Sequence, residues 1–110
     1  MDTRSALDAF NALGQSTRLA VFRLLVQAGP QGLAAGAIST RLGVVANTLS
    51  THLAILTDAH LITGTREGRF VRYAADLAGF RGLVTWLTVD CCGGRPELCA
   101  PLLPTTLCKC

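Results

Sequence analysis

Residues 37–59 read AISTRLGVVANTLSTHLAILTDA, and this stretch decides the fold. Its first part, 37–42, is short, and Gly43 stops it in the way that glycine ends many helices. Its second part repeats apolar residues at helical spacing from Asn47 to Ala59 and predicts a longer helix. The residues expected to face inward on that helix are Leu49, Leu53 and Leu56. Two helices joined by a tight glycine turn form a helix-turn-helix.

Two more helices are predicted on the N-terminal side of this motif. The first spans Ser5–Leu13 and stops at Gly14. Ser16 or Thr17 is expected to cap the second, which ends at Gly29-Pro30 and is followed by a glycine-containing connection. The apolar faces of these two helices are formed by Leu7, Phe10 and Leu13, and by Leu19, Phe22, Leu25 and Val26.

On the C-terminal side the period changes, and residues 61–74 predict a β-hairpin whose tip lies near Gly68. Asp76 is expected to cap a last helix that runs to Val89. Its apolar face consists of Leu77, Phe80, Leu83, Val84 and Leu87. Four helices, a small hairpin and a closing helix, in that order, give a mainly α fold of the winged helix-turn-helix type.

The composition of the chain indicates what class of protein carries this motif. The chain has 110 residues, half of them apolar, which fits one folded domain and argues against a disordered chain. Nine of the ten basic residues are arginine, and the net charge is +3, which is compatible with nucleic acid without proving it. No stretch has the length of a membrane span or the unbroken apolar run of a secretory signal, so a cytoplasmic location is predicted.

The second helix of the motif begins with small polar side chains, while its leucines face the other way. Such a surface can enter a major groove, where amide and hydroxyl groups reach base edges or phosphates. The hairpin adds three arginines suited to backbone or minor-groove contacts. An alternative interpretation treats these polar residues as helix caps and solvated surface, but caps alone do not predict a basic hairpin directly downstream. The DNA-contacting residues predicted are Asn47, Thr48, Ser50, Thr51, His52, Arg66, Arg69 and Arg72.

Four linked stretches of sequence resemble the ArsR/SmtB family of metal-responsive repressors. They are LGQSTRL at 13–19, LGVVANTLSTHL at 42–53, AHLI at 59–62 and REGRFVRY at 66–73. The resemblance, which covers about 13–90, implies a homodimer joined through the first and last helices that binds operator DNA and leaves it when a metal ion binds. The apolar faces of Ser5–Leu13 and 76–89 suit that role, since each would be partly exposed in a monomer.

Two sensor positions of the family are missing from this chain. Many arsenic-responsive members carry Cys-x-Cys at the start of the third helix, where this chain has Leu33-Ala34-Ala35-Gly36-Ala37. The family's zinc-type site needs Asp and His on the last helix, and 76–89 contain no histidine. The sensor must therefore be sought elsewhere.

All five cysteines lie in the last twenty residues, which divides the chain into a domain at 1–90 and a Cys-rich tail at 91–110. Cys91 and Cys92 can hold one soft ion together, and the turn-forming sequence 93–96 can bring Cys99 back to it. Three thiolates suit As(III) or Sb(III), and the family resemblance favours arsenite as inducer. Cys108 and Cys110 are accessory candidates, because they follow two prolines near the terminus.

Three alternatives remain open at this point. A fourth thiolate from Cys108 or Cys110 would complete a tetrahedral zinc site, so a repressor of the same fold responding to Zn, Cd or Pb is one of them. Oxidation of Cys91 and Cys99 to a disulfide is another. A thiol-dependent arsenic or redox enzyme is disfavoured, because the chain has no Cys-x-x-Cys in a βαβ setting and no cysteine at a phosphate-binding loop.

Overall fold

Residues 1–88 are described by a computed structural model of the chain, and within them the polypeptide forms five helices and three strands. The predicted boundary at residue 90 and the tail at 91–110 lie outside these described residues. The helices are α1 (Thr3–Leu13), α2 (Ser16–Ala28), α3 (Ala35–Leu42), α4 (Ala46–Asp58) and α5 (Leu77–Leu87). The strands are β1 (Leu33–Ala34), β2 (Ile62–Glu67) and β3 (Phe70–Ala75).

The predicted winged helix-turn-helix is confirmed, with one strand more than expected. β2 and β3 form the hairpin, and β1 pairs antiparallel with the other edge of β3, in the order β1-β3-β2. Leu33 lies opposite Tyr73, in a stretch that the sequence placed in a connection. A two-residue strand is too short to show alternation, so no sequence pattern could reveal it. Gly32, with a φ of 64°, allows the chain to approach the Tyr73 carbonyl closely.

Capping residues fix where the helices begin. Asp76 accepts the backbone N–H of Gly79 at 2.9 Å, as predicted for α5. The prediction of Ser16 or Thr17 as the cap of α2 is wrong, because the Gln15 side chain accepts the N–H of Arg18 at 2.8 Å. Glutamine is not among the residues preferred at that position, so its role was not visible in the sequence. Asp2 caps α1, and the donated Ser5 amide lowers the pKa of its carboxyl group.

The core lies where α1, α2 and α4 meet the base of the sheet. Phe22 and Leu25 are buried as expected, and Phe22 packs against Phe80 of α5 with ring centroids 5.4 Å apart. Leu19 and Val26, predicted on the same face, are instead 44% and 43% exposed, while Val21 fills the core. The buried apolar residues are Ala6, Ala9, Ala12, Val21, Phe22, Leu25, Ile38, Leu49, Leu53, Leu56, Leu61, Ile62 and Leu83.

The most exposed large apolar side chains of the five helices lie on α1 and α5. α1 turns its alanines inward and leaves Leu7 57% and Phe10 44% exposed. α5 buries only Leu83, and its Leu77 and Leu87 are each 56% exposed. Among the helices of residues 1–88, the first and last are therefore the ones that carry large apolar side chains more than half exposed. Within 1–88 no helix has both the length and the apolar character required to cross a membrane.

The close contact between Gly79 of α5 and the backbone of His60, in the turn after α4, gives a stability test. A methyl group on Gly79 would overlap the backbone carbonyl of His60, whereas one on Gly36 in α3 would meet open space. We expect Gly79→Ala to lower the free energy of unfolding by about 1–3 kcal/mol. Gly36→Ala should raise it by about 0.5–1 kcal/mol, because alanine favours the helix.

Urea unfolding at one fixed protein concentration measures both changes. Equal effects of the two substitutions would contradict the close packing of α5 on the His60 carbonyl.

Candidate nucleic-acid interface

The turn between α3 and α4 is fixed by hydrogen bonds around Gly43. Gly43 ends α3 in the left-handed region, with a φ of 65°, and its N–H donates to the Ser39 carbonyl. The N–H of Val44 donates to the same carbonyl at 3.1 Å, and the Ser39 hydroxyl donates back to the Val44 carbonyl. The angle at which α4 leaves α3 is thereby set by the backbone.

α4 presents a polar face to solvent because its apolar face is buried against the rest of the domain. Leu49, Leu53 and Leu56 are at most 2% exposed, which confirms the predicted inward stripe. The residue that precedes the helix is Val45, and no side chain caps α4, so the polar residues at its start are not caps. Their side chains are exposed, as major-groove contact would require, and they are Asn47, Thr48, Ser50 and Thr51.

His52 on the same helix is held by Arg18 of α2. A terminal guanidinium nitrogen of Arg18 lies 3.3 Å from Nδ1 of His52. Because a guanidinium only donates hydrogen bonds, Nδ1 is the acceptor in this contact, which places the N–H of the ring on Nε2. The histidine is half-buried, so this contact orients a ring whose other nitrogen is left as a donor.

Arg18 also closes the C-terminal end of α1. Its Nε donates to the Ala12 carbonyl at 2.7 Å, and its other terminal nitrogen donates to the Asn11 carbonyl at 3.3 Å. A cation on these carbonyls interacts favourably with the helix dipole, and at Asn11 it adds to the hydrogen bond that the Gly14 N–H donates to the same carbonyl. One side chain therefore joins the end of α1, the start of α2 and the middle of α4.

The three hairpin arginines have different surroundings. Arg66 on β2 and Arg69 in the two-residue turn are exposed, and within the described residues neither forms an ion pair. Arg72 on β3 is paired with Glu67 at 3.2 Å and also lies within 3.5 Å of the Gln31 and Gly32 carbonyls. The tip of the hairpin thus offers two unpaired cations, while Arg72 is used to tie β3 to the segment before β1.

The predicted metal ligands do not enter this interface. Cys91, Cys92, Cys99, Cys108 and Cys110 all lie outside the described residues. Among residues 1–88 no three His, Cys, Asp or Glu side chains are grouped so as to hold a metal ion. His60 lies in the turn after α4 with a φ of 60°.

Sequence reasoning missed Arg18 and Val45. In the sequence Arg18 appears only as part of the stretch LGQSTRL. Its distance along the chain from residues 11, 12 and 52 gives no sign that it contacts them. Val45, at 70% exposed, stands immediately before α4 and next to its polar first turn in the sequence. An apolar residue there can contact the methyl group of thymine.

Comparison with known proteins was made on both sequence and structure. A family model described as a helix-turn-helix domain matches residues 13–65, which include α2, the helix-turn-helix and most of β2. No curated protein matches the sequence significantly.

Several solved structures are similar to this chain. An ArsR-like transcriptional regulator from Rhodococcus sp. RHA1 shares 26% identity at a TM-score of 0.71, over 89% of this chain and 90% of its own. The homodimeric winged helix-turn-helix DNA-binding domain of a possible ArsR-family regulator from Mycobacterium bovis shares 26% at 0.64, over 79% of each chain. A possible transcriptional regulator for arsenical resistance has the same fold, with 24% identity and a TM-score of 0.60, over 87% of this chain and 97% of its own.

The Arg18 contacts predict a specific loss of stability. We expect Arg18→Ala to lower the free energy of unfolding by about 1–2 kcal/mol, because the carbonyls of α1 and Nδ1 of His52 lose a charged donor. Arg23→Ala, which removes an exposed arginine from the same helix, should change it by no more than about 0.5 kcal/mol.

Chemical denaturation of the two variants beside the wild type is the measurement. Equal stability of Arg18→Ala and Arg23→Ala would show that Arg18 does not join the three helices.

Proposed function

We propose that the chain is a helix-turn-helix transcriptional regulator of the ArsR/SmtB type, which binds operator DNA as a homodimer and represses transcription until a thiophilic ion binds. The observation that carries the DNA-binding step is the division of α4 into two faces. Its leucines are buried against the domain and its polar residues are exposed together at its start. This is the arrangement of a helix that reads base edges with short side chains.

In the proposed complex α4 lies in the major groove and the hairpin reaches the adjacent backbone. Asn47 can make a paired contact to adenine, while Ser50 and Thr51 reach base edges or phosphate. Arg66 and Arg69 neutralise phosphates, which makes binding depend on salt. His52, held by Arg18, has Nε2–H to donate to a phosphate oxygen.

The exposed faces of α1 and α5 support the homodimer. Leu7 and Phe10 on α1, and Leu77 and Leu87 on α5, would leave solvent if a second copy packed on them. Beside them lies a shallow depression of about 660 Å³ in which Ala78 and Gly82 give a second helix room to approach. Two α4 helices about 34 Å apart would then meet successive turns of one face of the duplex.

For the inducer we propose As(III), or Sb(III), bound by three thiolates from Cys91, Cys92 and Cys99. The first two of these cysteines follow the end of α5 by four and five residues in the sequence, so the ligands adjoin a helix of the proposed dimer interface. Cys108 and Cys110 are accessory in this scheme. Binding requires deprotonated thiols, and a reducing cytoplasm would keep them free.

The two competing inducers use the same cysteines. Zinc, cadmium or lead would take a fourth thiolate from Cys108 or Cys110, and an oxidant would join Cys91 to Cys99. An enzymatic role is set aside, because the helix-turn-helix family and the related structures are those of regulators.

The first test concerns DNA. Wild-type protein should enrich a defined duplex from a random-sequence pool, and Asn47→Ala should weaken binding to that duplex by about 1–3 kcal/mol and relax its base preference. Gln27→Ala, an exposed polar residue of α2, should leave binding unchanged. Fluorescence anisotropy at fixed salt gives both affinities, and failure of the wild type to enrich any sequence would overturn the DNA-binding function.

The second test concerns the inducer. Arsenite should lower the affinity of wild-type protein for the selected duplex by about 5–150-fold, the usual range of coupling between two sites. Cys91→Ser/Cys92→Ser should bind DNA normally and ignore arsenite, whereas Cys108→Ser/Cys110→Ser should still respond. Gel-shift titrations with arsenite, zinc and peroxide measure this. A response retained by Cys91→Ser/Cys92→Ser would contradict the three-cysteine site.

A further inference from the structure

The hairpin ends in an exposed aromatic ring that the fold does not use. Phe70 is the first residue of β3, directly after the Gly68-Arg69 turn, and is 69% exposed. It does not belong to the core or to the partly buried residues packed on it. Removing a ring of that size from water lowers the free energy of the system, so its position at the tip points to a partner.

The partner is not the dimer surface proposed above, because the tip stands away from the body of the domain. Ile62 at the base of β2 is buried, and every later residue of that strand is exposed. At about 3.3 Å per residue, the tip extends roughly 16 Å beyond the last buried position. The exposed apolar residues on α1 and α5 lie on helices, whereas Phe70 lies at the end of this projecting ribbon.

The charges around Phe70 indicate the chemistry of the partner. Arg69 precedes it in the turn and Arg66 stands one register position behind it, and both are unpaired within the described part of the chain. Glu67, the acidic residue of the tip, is neutralised by Arg72 at 3.2 Å. An apolar ring next to unpaired cations complements a polyanion that also has an apolar surface, as the sugar edges of a DNA groove do.

The geometry of the ribbon places the ring and one cation on different sides. Phe70 is paired directly with Glu67, and Arg66 is paired with Val71. Because paired residues share a face and successive residues alternate, Phe70 and Arg66 lie on opposite faces, with Arg69 in the turn between them. A minor groove about 6 Å wide is too narrow for the ribbon itself and would admit side chains from its tip, such as the ring of Phe70.

We propose that Phe70 is an apolar contact of the hairpin with DNA, packing its ring on deoxyribose in the minor groove next to the major groove that holds α4. The proposal rests on the DNA-binding function and adds to it a contact that releases no counterions. Arg66 and Arg69 give affinity that falls with salt, whereas Phe70 gives affinity that does not. The hairpin therefore has two separable contributions to binding.

The dependence of affinity on salt distinguishes these contributions. Affinity for the selected duplex is measured by anisotropy over a series of salt concentrations for wild type, Phe70→Ala, Arg69→Ala and Val26→Ala. Phe70→Ala should weaken binding 5- to 20-fold at every salt concentration and leave the slope of log affinity against log salt unchanged. Arg69→Ala should reduce that slope by about 1. Val26→Ala removes an exposed apolar residue from α2, away from the hairpin, and should bind as wild type does.

Hydroxyl-radical footprinting of the same complexes reports access to deoxyribose in the minor groove. Phe70→Ala should lose protection at the hairpin contact and keep the rest of the wild-type footprint, and Phe70→Trp should retain it. Thermal unfolding should be unchanged, since the ring is exposed.

Three outcomes would overturn the proposal while wild-type protein still binds its duplex. Equal affinity of Phe70→Ala and wild type would show that the ring makes no contact. A reduced slope of log affinity against log salt in Phe70→Ala, as in Arg69→Ala, would show that the ring only positions a cation. Binding of anionic phospholipid vesicles by wild type but not by Phe70→Ala, with equal DNA binding by both, would assign the tip to a membrane surface. Absence of any wild-type DNA binding would instead defeat the proposed function itself.

Discussion

Burial of three leucines along one side of α4 is the constraint on which the rest of the structure depends. Leu49, Leu53 and Leu56 are almost completely removed from water, so the helix cannot rotate about its axis without exposing them. The polar residues at its start are therefore held outward by packing on the opposite side. The same leucines place the helix against α2 and the base of β2, which fixes where the hairpin leaves the domain.

How far the sequence predicts this structure depends on the length of each pattern. The helix-turn-helix, the hairpin tip at Gly68 and the Asp76 cap follow from local signals, and all three are confirmed. β1 has only two residues, and Gln15 is an unusual cap, so neither leaves a recognisable pattern. Leu19 and Val26 have the spacing of core residues but are exposed, because periodicity cannot say which of two apolar faces the domain covers.

The candidate site shows the same division. The exposure of Asn47, Thr48, Ser50 and Thr51 follows from their spacing relative to the leucines. The ties of Arg72 to Glu67 and of Arg18 to His52 depend on side chains from different elements, which spacing along the chain does not reveal. The cysteines remain a sequence-based hypothesis, because they lie outside the residues that the structure describes.

Arg18 has a mechanical consequence for a dimer built on α1. Its guanidinium bonds to two carbonyls at the end of α1 and to the His52 imidazole on α4. A displacement of α1 at the subunit interface would therefore reach the polar face of α4 through a single side chain. This connection between α1 and α4 does not pass through the side chains of the hydrophobic core. In such a dimer, movement of α1 at the subunit interface would act on two His52 rings, one on each subunit, and through them on the spacing of the two α4 helices along the DNA.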